Sequence, residues 1–447
     1  MKRLLRAGCV LSLVLSLAAG GAVVAAGVLF ALLPRDVPLV VEEPLGPYPV
    51  PEPPEGPLSG LVVYLSAGHG WLLHRVRHDG EPIAWGRQRS VRYGMVEDDW
   101  TAAFVADYLA PAIEAAGGTV IALRERDRNP VAAISDDGDP SHYAERIVVR
   151  VEDPLAQGGS YLRLEPDGGS VWWLEVPYDG HWYLYTRWVA SEAHDDRAVY
   201  TINAGGVSRQ VVVDQRAHGG HWWPLADLCL FGGDLVEVVL NGSGGGLPAA
   251  DAVRLGGGSY VFAPPFDWKV RNRPLFDVAM PHQIEHLGAP EALSTYECGN
   301  PVSDMRLRPH WASWASPDGE EAVYLSIHTN ASPRGRARGL TVFAGIDKTP
   351  PTPAGPASVR LANALERSIF ETVRSRDPGY VTRGVRLGNF SEISPVHNDL
   401  TGALLELGFH DDRGDAARLQ TPQFREDAAK GTVEGLIQWR RGADEGR

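Results

Sequence analysis

Three polar side chains in this sequence each lie in or directly after a short apolar run that is typical of a buried strand. His69 lies in the segment AGHG, His328 in SIHTN, and Glu406 in LLELGF. A neutral imidazole is a common zinc ligand, and a carboxylate in an apolar run is costly unless it is paired, protonated or near a cation. The three residues therefore indicate a metal-dependent hydrolase site, with Glu406 as the candidate general base.

Taken singly, each of these residues also has a structural explanation. His69 between two glycines suits a tight turn, His328 suits a half-buried position, and Glu406 suits an exposed edge strand. The chemical interpretation requires that the three side chains lie together. Ligands bind at the carboxyl ends of the strands in open α/β sheets, so we expect all three residues at that edge.

The elements around His69 predict the beginning of an α/β fold. Residues 61–65 and 119–123 favour strands, and aromatic residues at four-residue spacing between them favour a helix. Pro111 is expected to kink this helix, and the Gly117-Gly118 pair is expected to end it. Strands and helices alternate again in the C-terminal part, with a strand predicted at 323–327, a helix at 357–373, a strand at 403–405 and a helix from Pro422.

The middle of the chain has a different pattern. Residues 146–258 contain short alternating runs that are separated by Asp-Gly, Gly-Gly and Asn-Gly, as in an antiparallel β-sandwich. The sequence therefore predicts an α/β domain, with a mostly parallel sheet flanked by helices, that is interrupted by an inserted sandwich. The two parts of the α/β domain are assigned to residues 59–145 and 259–447.

The N-terminus predicts export. Basic residues precede an uncharged apolar run at 7–33, which is long enough to span a bilayer. Residues 1–36 form either a cleaved signal or a retained inner-membrane anchor, and the length of the run favours the anchor. The basic residues ahead of it place the rest of the chain outside the cytoplasm. The proline-rich residues 37–58 are interpreted as an extended linker.

Composition argues against a nucleic-acid-binding protein, and the cysteine spacing argues against a zinc site made of thiolates. The net charge of -14, from 56 acidic and 42 basic side chains, argues against nucleic-acid binding, which needs a basic surface. The three cysteines show no CxxC spacing, so a thiolate zinc site is not indicated. The sequence does not decide whether Cys229 and Cys298 form a disulfide bond in an oxidising compartment.

Taken together, AGHG, SIHTN and LLELGF, followed by RLQTP at 418–422, resemble the N-acetylmuramoyl-L-alanine amidases, a family of zinc hydrolases. The resemblance covers about residues 60–130 and 300–440. It implies a phosphorylase/hydrolase-like amidase fold, a bound Zn²⁺, and hydrolysis of the amide between N-acetylmuramic acid and L-alanine in peptidoglycan. In that scheme His69 and His328 are zinc ligands, and Glu406 takes a proton from water and returns it to the leaving amine.

The resemblance also implies a third zinc ligand, a glutamate at the head of the first helix. That position falls in the segment EDDW, where we assign Glu97 and keep Asp98 and Asp99 as alternatives. A carboxylate that serves only the helix dipole is the structural explanation for all three. Arg124 and Asp127 resemble a family segment after the second strand, and we assign them a structural role.

Three segments of the insertion resemble a golvesin-type β-sandwich, described as a wall- or carbohydrate-binding module. They are YTINAGG at 200–206, HGGHWW at 218–223 and ADAVRL at 250–255. Six of the thirteen tryptophans lie in the insertion, where they suit either sugar stacking or core packing. A glycan contact through the sandwich is therefore one hypothesis for this domain.

Two other functions stay open from the sequence. A zinc carboxypeptidase or another peptidoglycan amide hydrolase would use the same two-histidine, one-glutamate site, because the ligand set does not encode the substrate. A non-catalytic wall-binding or regulatory protein with a vestigial site is the alternative from another class. A requirement for a protein activator is not decided by the sequence.

Overall fold

The structure is a computed structural model that describes residues 55–74, 84–124, 126, 131–257, 280, 283–284, 287–290, 293, 301–333, 335–345, 354–393 and 400–444. All of them fall in the compact unit Tyr48–Arg447. The predicted anchor at 1–36, most of the linker at 37–58, Asp127 and Cys298 lie outside the described residues. Within the described ranges, no helix combines the length and the apolar character needed to cross a membrane.

The described chain forms twenty strands and six α-helices, with a π-helical turn at Val105–Leu109 and a 3₁₀ turn at Gln157–Gly159. The helices are α1 (Glu97–Phe104), α2 (Ala110–Ala115), α3 (Pro301–Ala315), α4 (Ala354–Arg376), α5 (Arg413–Leu419) and α6 (Pro422–Asp444). The strands are β1 (Val62–Ala67), β2 (Trp71–His74), β3 (Ala84–Arg87), β4 (Thr119–Ala122), β5 (Ala132–Ser135), β6 (His142–Ala144), β7 (Ile147–Glu152), β8 (Ser160–Leu164), β9 (Gly169–Glu175), β10 (Gly180–Arg187), β11 (Ala198–Ala204), β12 (Val207–Val213), β13 (Trp223–Leu230), β14 (Leu235–Asn241), β15 (Ala249–Ala250), β16 (Ala252–Gly256), β17 (Ala322–Asn330), β18 (Leu340–Gly345), β19 (Thr382–Gly388) and β20 (Thr401–Phe409).

A six-stranded sheet with the order β19-β18-β20-β17-β1-β4 holds the predicted strand ends. All its neighbouring strands run parallel except β18 and β20, which are antiparallel. The sequence runs at 61–65, 119–123, 323–327 and 403–405 correspond to β1, β4, β17 and β20. The predicted fold class is confirmed, because this mostly parallel sheet is flanked by helices and is separate from antiparallel sheets.

Both faces of this sheet are buried, which is why its central strands are almost continuously apolar. On one face, Val63 and Leu325 pack in a core with side chains of α1, α4 and α6. On the other face, Tyr64, Tyr324 and Leu404 pack with Trp311 of α3. His328 and Glu406 follow the same alternation as Tyr324 and Leu404, so they belong to the face that α3 covers.

The first helix is irregular where the sequence predicts a kink. The N–H of Ala110 donates to the carbonyl of Val105, five residues back, and Pro111 follows at the start of α2. Proline has no N–H to continue the α-helical pattern, and a widened turn accommodates it. Gly117 ends the helix with a φ of +90°, a conformation that glycine adopts without a steric penalty.

The insertion is an antiparallel β-sandwich. Its sheets have the orders β13-β10-β16-β5, β12-β11-β14-β9-β6 and β15-β8-β7. The strands β5 and β6 precede residue 146, where the sequence analysis starts the insertion, yet they pair with β16 and β9. We therefore propose that the inserted domain begins near Ala132.

The tryptophans of the insertion lie mostly in its interior. Trp172, Trp182 and Trp188 are fully buried, and Trp222 is nearly so. Trp173 and Trp223 are half-buried. The Trp173 ring N–H donates a hydrogen bond to Glu237, and Trp223 packs against the core of the sandwich. Core packing, the second explanation in the sequence analysis, therefore accounts for these tryptophans except Trp173.

The HGGHWW segment attaches the sandwich to the α3 face of the main sheet. The ring of His221 is fully buried, with its centroid 5.4 Å from that of Trp311. Burial lowers the pKa of His221 to about 3, so the ring is neutral in this aromatic contact. The His218 ring contacts the Glu320 carboxylate, and Trp223 packs against both hydrophobic cores. The sandwich is thus packed directly onto the α/β domain.

Truncating Trp311 should weaken this attachment and the core beneath it. The side chain is fully buried between Tyr64 and His221, so Trp311→Ala leaves a cavity that its neighbours cannot fill. We expect the free energy of unfolding to fall by about 3–5 kcal/mol, measured by urea denaturation. Tyr143→Ala, at a position that is 57% exposed, should change it by less than about 0.5 kcal/mol. Equal effects of the two substitutions would contradict the packing role.

Candidate metal centre

His69 lies just past the end of β1 in a left-handed conformation, with a φ of +61°. Two guanidinium groups hold this turn, because the His69 carbonyl accepts hydrogen bonds from Arg124 at 2.7 Å and from Arg308 at 2.5 Å. Arg124 also donates to the Asp98 carbonyl, which agrees with the structural role assigned to it. The strained backbone is therefore stabilised by one fully buried and one partly buried guanidinium group from outside the turn.

Gly68 lets the imidazole of His328 approach the AGHG turn. A Cβ atom at Gly68 would lie 2.4 Å from Cε1 of His328, which is far closer than van der Waals contact. His328 projects from the end of β17, the strand next to β1 in the sheet. The glycine that precedes His69 is thus required for the two histidines to meet.

His69, Glu97 and His328 come together at the carboxyl edge of the sheet. Nε2 of His69 lies 3.2 Å from Nδ1 of His328, and this Nδ1 lies 3.2 Å from Oε1 of Glu97. Two nitrogens that each bind zinc at ~2.05 Å in a tetrahedral site are roughly 3.3 Å apart. The candidate ligand atoms all lie within 4.8 Å of one another, so the three residues fit a zinc ion. Their assignment as ligands stays a prediction.

Glu97 is the anionic member of this group and is almost fully buried. Burial alone would raise its pKa, but the adjacent His69 and His328 outweigh burial and hold the pKa of Glu97 well below its ordinary value. The Thr329 N–H donates to Oε1 at 2.8 Å, and Nε of Arg89 lies 3.3 Å from Oε2. Glu97 is therefore held as a carboxylate, the form that binds a metal.

The two alternatives to Glu97 have different surroundings. One oxygen of Asp98 accepts N–H bonds from Gly70 at 3.0 Å and from Gln88 at 2.9 Å, so this carboxylate ties together the loop around His69. Asp99 lies in the first turn of α1 and is only partly buried. Among the described residues, the group with metal-binding geometry contains Glu97 and neither aspartate.

Glu406 lies opposite His328 in the register of β20 and β17. The strand β20 lies between β18 and β17, so an edge-strand explanation for this carboxylate does not apply. Its Oε2 is buried without a hydrogen-bond partner among the described residues, and burial raises the pKa of Glu406 to about 8 although His328 opposes this shift. A divalent cation nearby would lower that pKa again. A carboxylate with a vacant acceptor atom here is suited to receive a proton.

The outer nitrogens of both histidines face polar side chains. Nδ1 of His69 lies 2.9 Å from Oε1 of Gln88, and Nε2 of His328 lies 3.5 Å from Oε1 of Glu392. Burial alone would raise the pKa of Glu392, but the Arg308 guanidinium opposes this effect, and the resulting pKa is lowered to about 2. Glu392 and Arg308 were missed by the sequence analysis, because neither belongs to one of the strand-end motifs.

A groove is formed partly by residues that follow β17 and β20 in sequence. It has a volume of about 550 Å³ and is lined by residues that include Val91, Arg92, Tyr93, Ser332 and Asp411. Two of its walls continue directly from the ends of β17 and β20. These walls belong to the segments that directly follow the strands with His328 and Glu406.

Gly68→Ala should disturb the metal centre selectively. The new methyl group would displace the His328 ring, so we expect zinc affinity to fall together with about 1–3 kcal/mol of unfolding free energy. Zinc titration and urea denaturation of the purified variant would measure both effects. Gly138→Ala is the matched control, since its Cβ would meet open space. Wild-type zinc affinity in Gly68→Ala would show that the close approach is unimportant.

Two family models match this chain. Residues 311–438 match the family described as N-acetylmuramoyl-L-alanine amidase, and this stretch contains both His328 and Glu406. Residues 157–257 match the family described as Golvesin C-terminal domain. Both resemblances stated from the sequence motifs are confirmed, and the amidase match lies in the second of the two stretches, 60–130 and 300–440, to which that resemblance was assigned.

Individual relatives also cover only part of the chain. An uncharacterised cell wall amidase of Bacillus anthracis is 29% identical over 120 residues, which are 26% of this chain and 21% of that protein. The chain therefore spans about a fifth of this relative's length. The catalytic domain of CwlV, an N-acetylmuramoyl-L-alanine amidase from Paenibacillus polymyxa, is 23% identical, with a TM-score of 0.25 over 31% of this chain and 65% of that one. A Paenibacillus xanthan lyase is 18% identical, with a TM-score of 0.26 over 28% of this chain and 13% of that one.

Proposed function

We propose that this protein is a zinc-dependent N-acetylmuramoyl-L-alanine amidase that remodels peptidoglycan outside the cytoplasm. The observation that carries the proposal is the buried cluster of His69, Glu97 and His328 with Glu406 opposite His328 on the next strand. The match of residues 311–438 to the amidase family supports this choice among zinc hydrolases. It favours the amidase over a carboxypeptidase that would use the same ligand types.

In this proposal His69, Glu97 and His328 would hold the metal, and a set of three protein ligands is typical of catalytic zinc sites. When bound, zinc supplies Lewis acidity, which acidifies water and polarises a carbonyl group. Glu406 receives the proton of the attacking water at Oε2 and delivers it to the nitrogen of the departing L-alanine.

We assign the substrate to the groove whose lining includes Arg92, Tyr93 and Asp411. Tyr93 is 56% exposed and offers an apolar face, while Arg92 offers a cation for the carboxylates of a stem peptide. These properties suit a strand of peptidoglycan, which combines sugar rings with an acidic peptide. The groove therefore supports a polymeric substrate for the proposed site.

The location and the remaining partners follow from the sequence. The apolar run at 7–33 supports export, with residues 1–36 as an inner-membrane anchor or a cleaved signal. We propose that the sandwich contributes to wall contact by a surface other than its buried tryptophans. A protein activator is compatible with this proposal and is not required by it.

Digestion of purified sacculi by the full-length protein tests the function. We expect release of stem peptides with L-alanine amino termini in the presence of zinc, and no release after a chelator has removed the metal. Binding to sacculi without release of peptides, in a preparation that contains zinc, would favour the non-catalytic wall-binding alternative. Release of single C-terminal residues would identify a carboxypeptidase instead.

A further inference from the structure

We propose that Glu392 and Arg308 form a buried pair that positions both histidines of the metal centre, Glu392 at the His328 ring and Arg308 at the His69 backbone. This inference rests on the proposed function, because it assigns a role toward the same zinc ion. It adds two positioning residues that lie outside every motif of the sequence. One of them comes from α3, the helix that also carries Trp311.

Glu392 faces the side of the His328 ring that points away from the candidate metal position. Nδ1 of His328 faces His69 and Glu97, and Nε2 lies 3.5 Å from Oε1 of Glu392. Within the described residues, Nε2 makes no hydrogen bond. A carboxylate beyond the outer nitrogen fixes the orientation of a metal-binding imidazole and makes it a better ligand. The position of Glu392 is suited to this task.

Arg308 connects Glu392 to the second histidine. One guanidinium nitrogen donates to Oε1 of Glu392 at 2.9 Å, and the other donates to the His69 carbonyl at 2.5 Å. Arg308 is fully buried, and Glu392 is 4% exposed. A planar guanidinium with two fixed contacts holds the backbone of one ligand and the carboxylate behind the other in a single geometry.

The competing explanation is that this pair only stabilises the fold. A buried ion pair is weak evidence for stability, since replacing both partners by apolar side chains is often neutral, whereas removing one partner is strongly destabilising. The two explanations therefore differ in a double substitution. If the pair positions the ligands, a double variant of normal stability should still bind zinc poorly.

The test compares zinc affinity, measured by chelator competition, in the full-length protein and three variants. Arg308→Met/Glu392→Leu should keep a thermal midpoint near that of the wild type and lose about 10- to 100-fold in zinc affinity. Glu392→Gln, which removes the charge alone, should lose at least about 10-fold. Glu320→Gln is the control, because it removes a carboxylate that contacts His218 and neither of the candidate ligand histidines. This variant should bind zinc like the wild type.

Cobalt substitution adds a measurement that is independent of activity. The visible spectrum of Co²⁺ reports ligand geometry, and we expect it to change in the double variant and in Glu392→Gln but not in Glu320→Gln. Wild-type zinc affinity and an unchanged cobalt spectrum in the double variant would overturn the inference. If that variant does not fold, Glu392→Gln decides by the same criteria. A wild-type protein that binds no zinc would instead refute the proposed function, and with it this role.

Discussion

Glu406→Gln should abolish peptide release from sacculi while the protein stays folded and loaded with zinc. The substitution keeps the shape of the side chain on β20 but removes the carboxylate that accepts the proton of water. General base catalysis contributes about 10²–10⁴-fold to such reactions, so we expect a loss of that size in the rate of peptide release. Zinc content, measured on the same sample, should stay near that of the wild type.

Glu371→Gln is the matched control, because this glutamate lies exposed on α4. It should release peptides at the wild-type rate. A Glu406→Gln variant with more than about a tenth of the wild-type rate would show that another group takes the proton. Loss of zinc together with activity would place Glu406 among the ligands and not among the bases.

Substitutions of Glu97 and Asp98, the two adjacent carboxylates at the start of α1, should have different effects. We expect Glu97 to be a metal ligand and Asp98 to hold the loop around His69. We expect Glu97→Gln to lower zinc affinity by about 100-fold or more, because a neutral amide replaces the only anion in the three-residue group. Activity should fall with the loss of metal and recover partly at high zinc concentration. Zinc titration and the rate of peptide release at two zinc concentrations would measure both effects.

Asp98→Asn provides the comparison within the same turn. Its Oδ1 can still accept the N–H groups of Gly70 and Gln88, so we expect zinc to be retained and about 1–2 kcal/mol of unfolding free energy to be lost. The opposite pattern, with zinc lost in Asp98→Asn and retained in Glu97→Gln, would assign the third ligand to Asp98. The first alternative in the sequence analysis would then be correct.

The sequence by itself determined the fold class and the candidates for chemistry. Apolar runs at 61–65, 323–327 and 403–405 are strong local signals, because strands that are buried on both faces carry little else. A candidate polar residue follows each run within four residues, and parallel strands bring such residues to one edge. Local sequence patterns were therefore sufficient to identify His69, His328 and Glu406. Glu97 depended on the family resemblance as well, since three carboxylates follow one another there.

Only the tertiary structure decided which groups surround those residues. Glu392 and Arg308 contact the candidate ligands His328 and His69 from a turn and a helix that are distant in sequence. No local spacing signals a contact between side chains so far apart along the chain. The different roles of Glu97 and Asp98 depend on which way each side chain points, which a run of acidic residues does not encode. The HGGHWW segment could have been a surface platform, and its burial against Trp311 arises from packing between two domains. Local pattern thus determines elements and strand ends, whereas long-range packing determines the partners of each functional group.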